Sequence, residues 1–162
     1  MLTRLRLLGI MWSTLLSVWS TFSLAADISL APFDSDPTHA IVQIEGPLLA
    51  GDGTVFRSRV GSLTKAIVSF DSVGGSLLAG IEIGKAIRLK SFATVVLHRQ
   101  RCASACAFAW LGGSPRFMAS DSFIGFHAAY VERDGRPMEH GVGNALLGSY
   151  LTQIGLSESA VV

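Results

Sequence analysis

Charge is scarce in this chain. Only 15% of its 162 residues are Asp, Glu, Lys or Arg, and the net charge is +1. A surface for nucleic acid or an anionic membrane needs a clustered excess of Lys and Arg. The one local cluster, His98-Arg99-Gln100-Arg101, is short and reads as a solvated loop, so nucleic acid is not an expected partner. Cysteine is scarcer still, with Cys102 and Cys106 the only two. Two thiols are too few for a structural zinc site, and neither a metal nor an organic cofactor is expected. Internal repeats and low-complexity segments are missing as well. What is abundant is apolar side chain, 49% of the sequence. That composition excludes a disordered chain and, at this length, is enough for one domain with a real core.

The apolar excess begins at the N-terminus. Met1 to Arg6 is short and basic, Leu7 to Phe22 is mostly apolar and uncharged, and Ser23-Leu24-Ala25-Ala26 offers small residues. This is the three-part form of a secretory signal, cut after Ala25. The alternative is an uncleaved anchor, the one case in which a membrane contact is expected. It is disfavoured because the run is short and broken by Ser13, Thr14, Ser17, Ser20 and Thr21. Cleavage removes Arg4 and Arg6 and no acid, leaving eleven basic against twelve acidic side chains. The expected location is the periplasm or cell envelope, where disulfides persist.

Residues 26–39, with Pro32 and Pro37, read as a polar leader, and 40–162 as one α/β domain. Ala40 to Ile44 is a strand stopped by Gly46-Pro47, and a short helix is expected over Thr54 to Val60. Lys65 to Phe70 is a second strand whose continuous apolar centre fits a parallel strand covered on both faces. It runs into Asp71-Ser72-Val73-Gly74-Gly75-Ser76, where Ser76 or Asp71 can cap the helix expected over Leu77 to Lys90. Phe92 to Leu97 is a third strand, and Cys102 to Leu111 a turn leading into a buried helix. Arg116 to Met118 and Ser122 to Phe126 are short strands, and Tyr130 to Gly143 a polar loop. Asn144 to Ile154 is helical by spacing. Ser157 and Glu158 look like the start of another helix that Val162 cuts short, so the domain is expected to be C-terminally truncated. Strands alternating with helices predict a right-handed, largely parallel α/β unit. The glycine pair and Ser104 then lie at the C-terminal ends of strands, the edge where such sheets bind ligands.

A serine hydroxyl is a poor nucleophile unless a base stands in hydrogen-bond reach, and the oxyanion it creates needs preorganised donors. Ser104 lies between Ala103 and Ala105, so substrate can approach closely. His127 ends a strand and supplies a base. Gly75 offers an unshielded amide. Taken singly, a serine before a helix is a cap and a lone histidine is structural; the ordered combination carries the reading.

These three segments resemble the ClpP-type serine peptidases of the wider ClpP/crotonase superfamily, in particular exported ClpP-like proteins of bacterial envelopes. Ser72-Val73-Gly74-Gly75-Ser76 is similar to their Ser-Pro-Gly-Gly segment, Cys102-Ala103-Ser104-Ala105-Cys106 to their nucleophile turn, and Gly125-Phe126-His127-Ala128 to their histidine segment. The resemblance covers about residues 40–155 and implies the repeated β-β-α spiral of that superfamily. It implies Ser104 as nucleophile, His127 as general base, and the amides of Gly75 and Ala105 as oxyanion hole, with Gly74 shaping the turn. It also implies a peptide or protein substrate and a homo-oligomer. Val73 departs from the usual proline. The family's catalytic aspartate has no counterpart: Glu132, Asp134 and Glu139 stand too close to the histidine in loop-like sequence, and the acid is expected beyond Val162. Cys102 and Cys106, two residues either side of Ser104, are spaced for a disulfide across a helical turn or for two buried thiols. Two other readings remain: a catalytically inactive envelope binding or assembly module, and an acyl-CoA enzyme with a similar oxyanion hole, which export disfavours.

Overall fold

The structure, a computed structural model, describes residues 25–156. The stretch read as a secretory signal (but for Ala25) and the helix start expected at Ser157 lie outside the described residues. Five strands form the main sheet: β1 (Asp27–Pro32), β2 (His39–Glu45), β3 (Lys65–Asp71), β4 (Ala93–Val96) and β6 (Arg116–Met118), in the order β1-β2-β3-β4-β6. All neighbours pair in parallel except β1, which runs antiparallel along β2 from Asp27 opposite Glu45 to Pro32 opposite Ala40. The expected mixed, largely parallel α/β architecture is therefore present.

The stretch read as a leader is instead an edge strand in its first half. Only Ile28 of β1 is buried, so no alternation marks it, and Pro32 sits at its end, where an edge strand tolerates a missing amide. At the centre, Ala66, Val68, Ser69 and Phe70 of β3 are all buried, as a parallel strand covered on both faces requires. The core comprises Val42 and Ile44 of β2, Val68 and Phe70 of β3, Val96, and the helix residues Phe56, Ile83 and Ile87.

The chain advances by a recurring unit: a strand of the main sheet, a short bridge in a second layer, then a helix. After β2 comes Leu48 and α1 (Asp52–Arg59); after β3 come Ser72 and Gly75 and α2 (Leu77–Leu89); after β4 come β5 (Arg101–Ala103) and α3 (Ala105–Leu111). After β6 comes β7 (Phe123–Gly125), then the hairpin β8 (Tyr130–Arg133) and β9 (Arg136–Glu139), and finally α4 (Gly141–Gln153). The second-layer pieces are joined sideways: Leu48 bridges Gly75, Ser72 bridges Cys102, and β5 pairs in parallel with β7. This is the β-β-α spiral that the resemblance implies.

The polar loop expected over Tyr130 to Gly143 is largely this exposed hairpin, turned by Asp134 and Gly135 with φ of 53° and 72°. Two consecutive left-handed residues at an Asp-Gly pair suit the twist of a two-residue hairpin turn. The short helix expected at Thr54–Val60 is present as α1. Ser76 caps α2, its hydroxyl accepting from the Ala79 amide at 3.3 Å. Gly80 lets α2 approach the start of α3, where a side chain would overlap the Ala105 backbone, and Gly84 makes room for the Tyr150 side chain of α4 (Gly141–Gln153). Tyr150 of α4, 1% exposed, donates its hydroxyl to the Phe108 carbonyl at 2.8 Å and so ties α4 to α3.

Candidate active site

Ser104 stands between the end of β5 and the start of α3. Its amide donates to the Gly125 carbonyl at 2.8 Å, prolonging the β5–β7 ladder by one rung. Its carbonyl accepts from Phe108 at 3.3 Å, the first bond of the helix. Being held by a strand on one side and a helix on the other forces φ of 57° and ψ of −128° on a residue with a Cβ. Such a conformation costs about 1–3 kcal/mol and persists only where surrounding structure imposes it. A strained strand-to-helix turn of this sort lifts a serine hydroxyl clear of its own backbone.

The glycine pair packs against that turn. Gly74 has φ of 92°, and a Cβ there would come within 2.6 Å of the Ser104 Cβ and 3.0 Å of the Ala105 nitrogen. Gly75 has φ of 134°, and a Cβ on it would collide with the Leu48 carbonyl. Both positions therefore demand glycine. The Gly74 amide is engaged, donating to the Ser72 hydroxyl at 3.1 Å. The amides of Gly75 and Ala105 donate to nothing among the described residues. Ala105 is the first residue of α3, where an amide has no intrahelical acceptor. Two N–H groups that line the same cleft as the serine are thus without an acceptor among the described residues.

His127 reaches the same edge by the parallel pairing of β5 and β7. Ala103 is opposite Gly125, so the residues that follow each strand emerge side by side. Ser104, Gly75 and His127 line one cleft of about 720 Å³, a volume suited to part of a peptide or a small ligand. Leu78, Phe108 and Leu146 give it apolar walls. The sequence-derived site residues Gly74, Gly75, Ser104, Ala105 and His127 are thereby brought together. The His127 ring does not bond the Ser104 hydroxyl. Its Nδ1 lies 2.8 Å from the Ala128 carbonyl oxygen, and its face tilts against Tyr130 at 5.3 Å between centroids. A carbonyl only accepts, so in the neutral ring Nδ1 carries the proton and Nε2 the lone pair. That is the tautomer a base acting through Nε2 requires.

Cys102 and Cys106 are joined in a disulfide with 5.2 Å between Cα atoms, and both are fully buried. It closes across the serine turn. Of the two arrangements open from spacing, the bridge is the one observed.

Sequence reasoning missed three cleft residues. Glu132, dismissed as a loop acid, lines the cleft from β8. His140 lines it as the cap of α4, its Nδ1 accepting from the Gly143 amide at 3.2 Å. Tyr130 lies under His127. Only His140 carried a signal, a capping-competent side chain just before a helix.

Neither a family model nor a curated protein matches the sequence. Solved structures do match. The membrane-bound stomatin-specific protease 1510-N, as a serine-to-alanine variant, superposes with a TM-score of 0.58 at 17% identity over 76% of this chain and 66% of that one. Its lysine-to-alanine variant in complex with a substrate peptide gives 0.54 and 18%, over 72% and 57%. ClpP1 of Listeria monocytogenes, an asparagine-to-aspartate variant, gives 0.57 and 17%, over 75% of each chain. The chain spans just under two thirds, or less, of the two stomatin-specific protease chains. At these identities the likeness is one of fold, and the fold is that of ClpP-like serine proteases.

Proposed function

We propose that this protein is a serine hydrolase of the ClpP-like peptidase type. Ser104 attacks the substrate carbonyl, His127 takes the hydroxyl proton through Nε2 and returns it to the leaving group, and the amides of Gly75 and Ala105 hold the oxyanion. Gly74 shapes the turn that presents the serine. The observation that carries this reading is the strained Ser104 on the wall of a cleft shared with His127 and with Gly75 and Ala105, whose amides have no acceptor among the described residues. Closure of the ring onto the hydroxyl is then part of substrate binding, because catalytic hydrogen bonds often tighten only in the complex. The substrate is a peptide or protein, and the apolar walls favour an apolar side chain beside the scissile bond. A homo-oligomer and an envelope location after export complete the proposal; the buried disulfide supports an oxidising compartment.

A second reading is a ClpP-like module that binds or assembles without catalysis. It is favoured by the absence of a Ser104–His127 bond and of any carboxylate on the His127 ring among the described residues. A fluorophosphonate probe separates the two. Wild type labels and Ser104→Ala does not if the protein is a hydrolase; equal labelling of the two, or none of either, leaves the binding module.

A further inference from the structure

A triad histidine needs a partner on Nδ1 to hold its tautomer and orientation, and a carboxylate normally provides it. Here the partner is the Ala128 carbonyl, at 2.8 Å. That carbonyl shares one peptide group with the Ala129 amide, which donates to Asn144 Oδ1 at 2.7 Å. The Asn144 side chain in turn donates through Nδ2 to Glu139 Oε1 at 2.7 Å. On the other side, the Ala129 carbonyl accepts from the His140 amide at 2.7 Å. The peptide that faces His127 is therefore clamped at both neighbouring positions.

The direction of every link is fixed by chemistry. An amide N–H only donates, so the oxygen of Asn144 must face Ala129. A carboxylate only accepts, so its nitrogen must face Glu139. Both demands are met by one orientation of the side-chain amide. A peptide whose N–H is bonded presents a more strongly polarised carbonyl, and that carbonyl holds the Nδ1 proton of His127. Glu139 is exposed, so solvent screens its charge. Its contribution is to keep the Asn144 oxygen pointed at Ala129.

We infer that Asn144, oriented by Glu139, is a positioning residue for His127, acting through the Ala128–Ala129 peptide. This rests on the proposed hydrolase reading for its catalytic consequence, but not for its structural one. The relay runs from residues 127–129, between β7 and β8, to Asn144 in α4 and Glu139 at the end of β9.

The test uses the full chain and two readouts. Ring-nitrogen NMR shifts of His127 report which nitrogen carries the proton, and the rate of fluorophosphonate labelling reports the hydroxyl's reactivity. Asn144→Ala removes the acceptor for Ala129. It should move a large share of the neutral ring to the Nε2–H form and slow labelling about 10-fold or more, short of the ~10⁴-fold lost when a triad histidine is held in the wrong tautomer. Glu139→Ala, at an exposed position where folding is not at stake, should move both readouts in the same direction by less. In the double exchange of Glu139→Gln with Asn144→Asp, the side chain at 144 again accepts from the Ala129 amide while the one at 139 donates to 144, and both readouts should return most of the way to wild type. An Asn144→Ala protein that keeps the Nδ1–H form, or that changes tautomer with no change in labelling, overturns the inference. If wild type does not label at all, the hydrolase reading falls, and the tautomer readout alone decides whether the network holds the ring.

Discussion

Replacing Gly74 with alanine isolates the geometry on which the candidate site depends. The new methyl group would stand 2.5 Å from the Ala103 carbonyl oxygen, 2.6 Å from the Ser104 Cβ and 3.0 Å from the Ala105 nitrogen. Two of those three neighbours are main-chain atoms, and no rotamer change moves them aside. A left-handed backbone costs a residue with a Cβ about 1–2 kcal/mol. Forcing a methyl group into filled space adds about 1–3 kcal/mol. The expected loss is therefore about 2–5 kcal/mol, a fall in Tm of the order of 10 °C for a domain this size. The part relieved by moving the Ser104 turn is paid in reactivity, since a displacement of about 1 Å at a reacting centre costs on the order of 100-fold. Thermal unfolding and the fluorophosphonate labelling rate, measured below the lowered Tm, read the two effects. Gly148→Ala is the control. It lies within α4 with no atom within 4 Å of a new Cβ, and should gain about 0.5–1 kcal/mol from helix propensity. If Gly74→Ala is as stable and as reactive as wild type, the glycine is not what shapes the nucleophile turn, and the argument for the site fails at its first step.

Opening the Cys102–Cys106 bridge by a double serine substitution should cost about 2 kcal/mol, the chain-entropy value for so short a loop. It should also slow labelling by freeing the turn, and denaturant melts with parallel labelling rates check both. Tyr150→Phe leaves the Phe108 carbonyl without its donor and should cost about 1–3 kcal/mol at neutral pH. Burial pushes the Tyr150 phenol above its ordinary value of 10.0, against smaller lowering pulls from Arg88 and Arg116. The stability it contributes is present below that ordinary value and lost as pH rises beyond it. Wild type should therefore lose stability in the alkaline range more steeply than Tyr150→Phe, and parallel slopes above pH ~10 would show that the phenol is not the group responsible.

The residues nearest the chemistry were the most legible ones. β3 is read from its apolar centre, and α2 from its capping serine and its length. Gly74, Gly75, Ser104 and His127 stand out because each has a local chemical reason to be what it is. The edge strand β1 was not legible, since it buries only Ile28 and owes its extended form to pairing with β2. The β8–β9 hairpin exposes every residue, so no face could betray it, although Asp134-Gly135 is a hairpin signal in hindsight. The three-residue strands β5 and β7 are too short for any periodicity. Yet their register brings the segments carrying Ser104 and His127 to one edge, where both line the same cleft. Asn144 and Glu139 were out of reach for a different reason: their link to His127 runs through a backbone peptide, and no side-chain pattern records it.

In the proposed mechanism the Ser104 hydroxyl is the reactive group of this cleft. The most direct measurement is tandem mass spectrometry of the intact chain after fluorophosphonate treatment and digestion. A single phosphonyl adduct on Ser104 is expected, absent when the protein is unfolded before treatment. An adduct on another hydroxyl of the cleft, such as Ser76, with Ser104 unmodified, would contradict it.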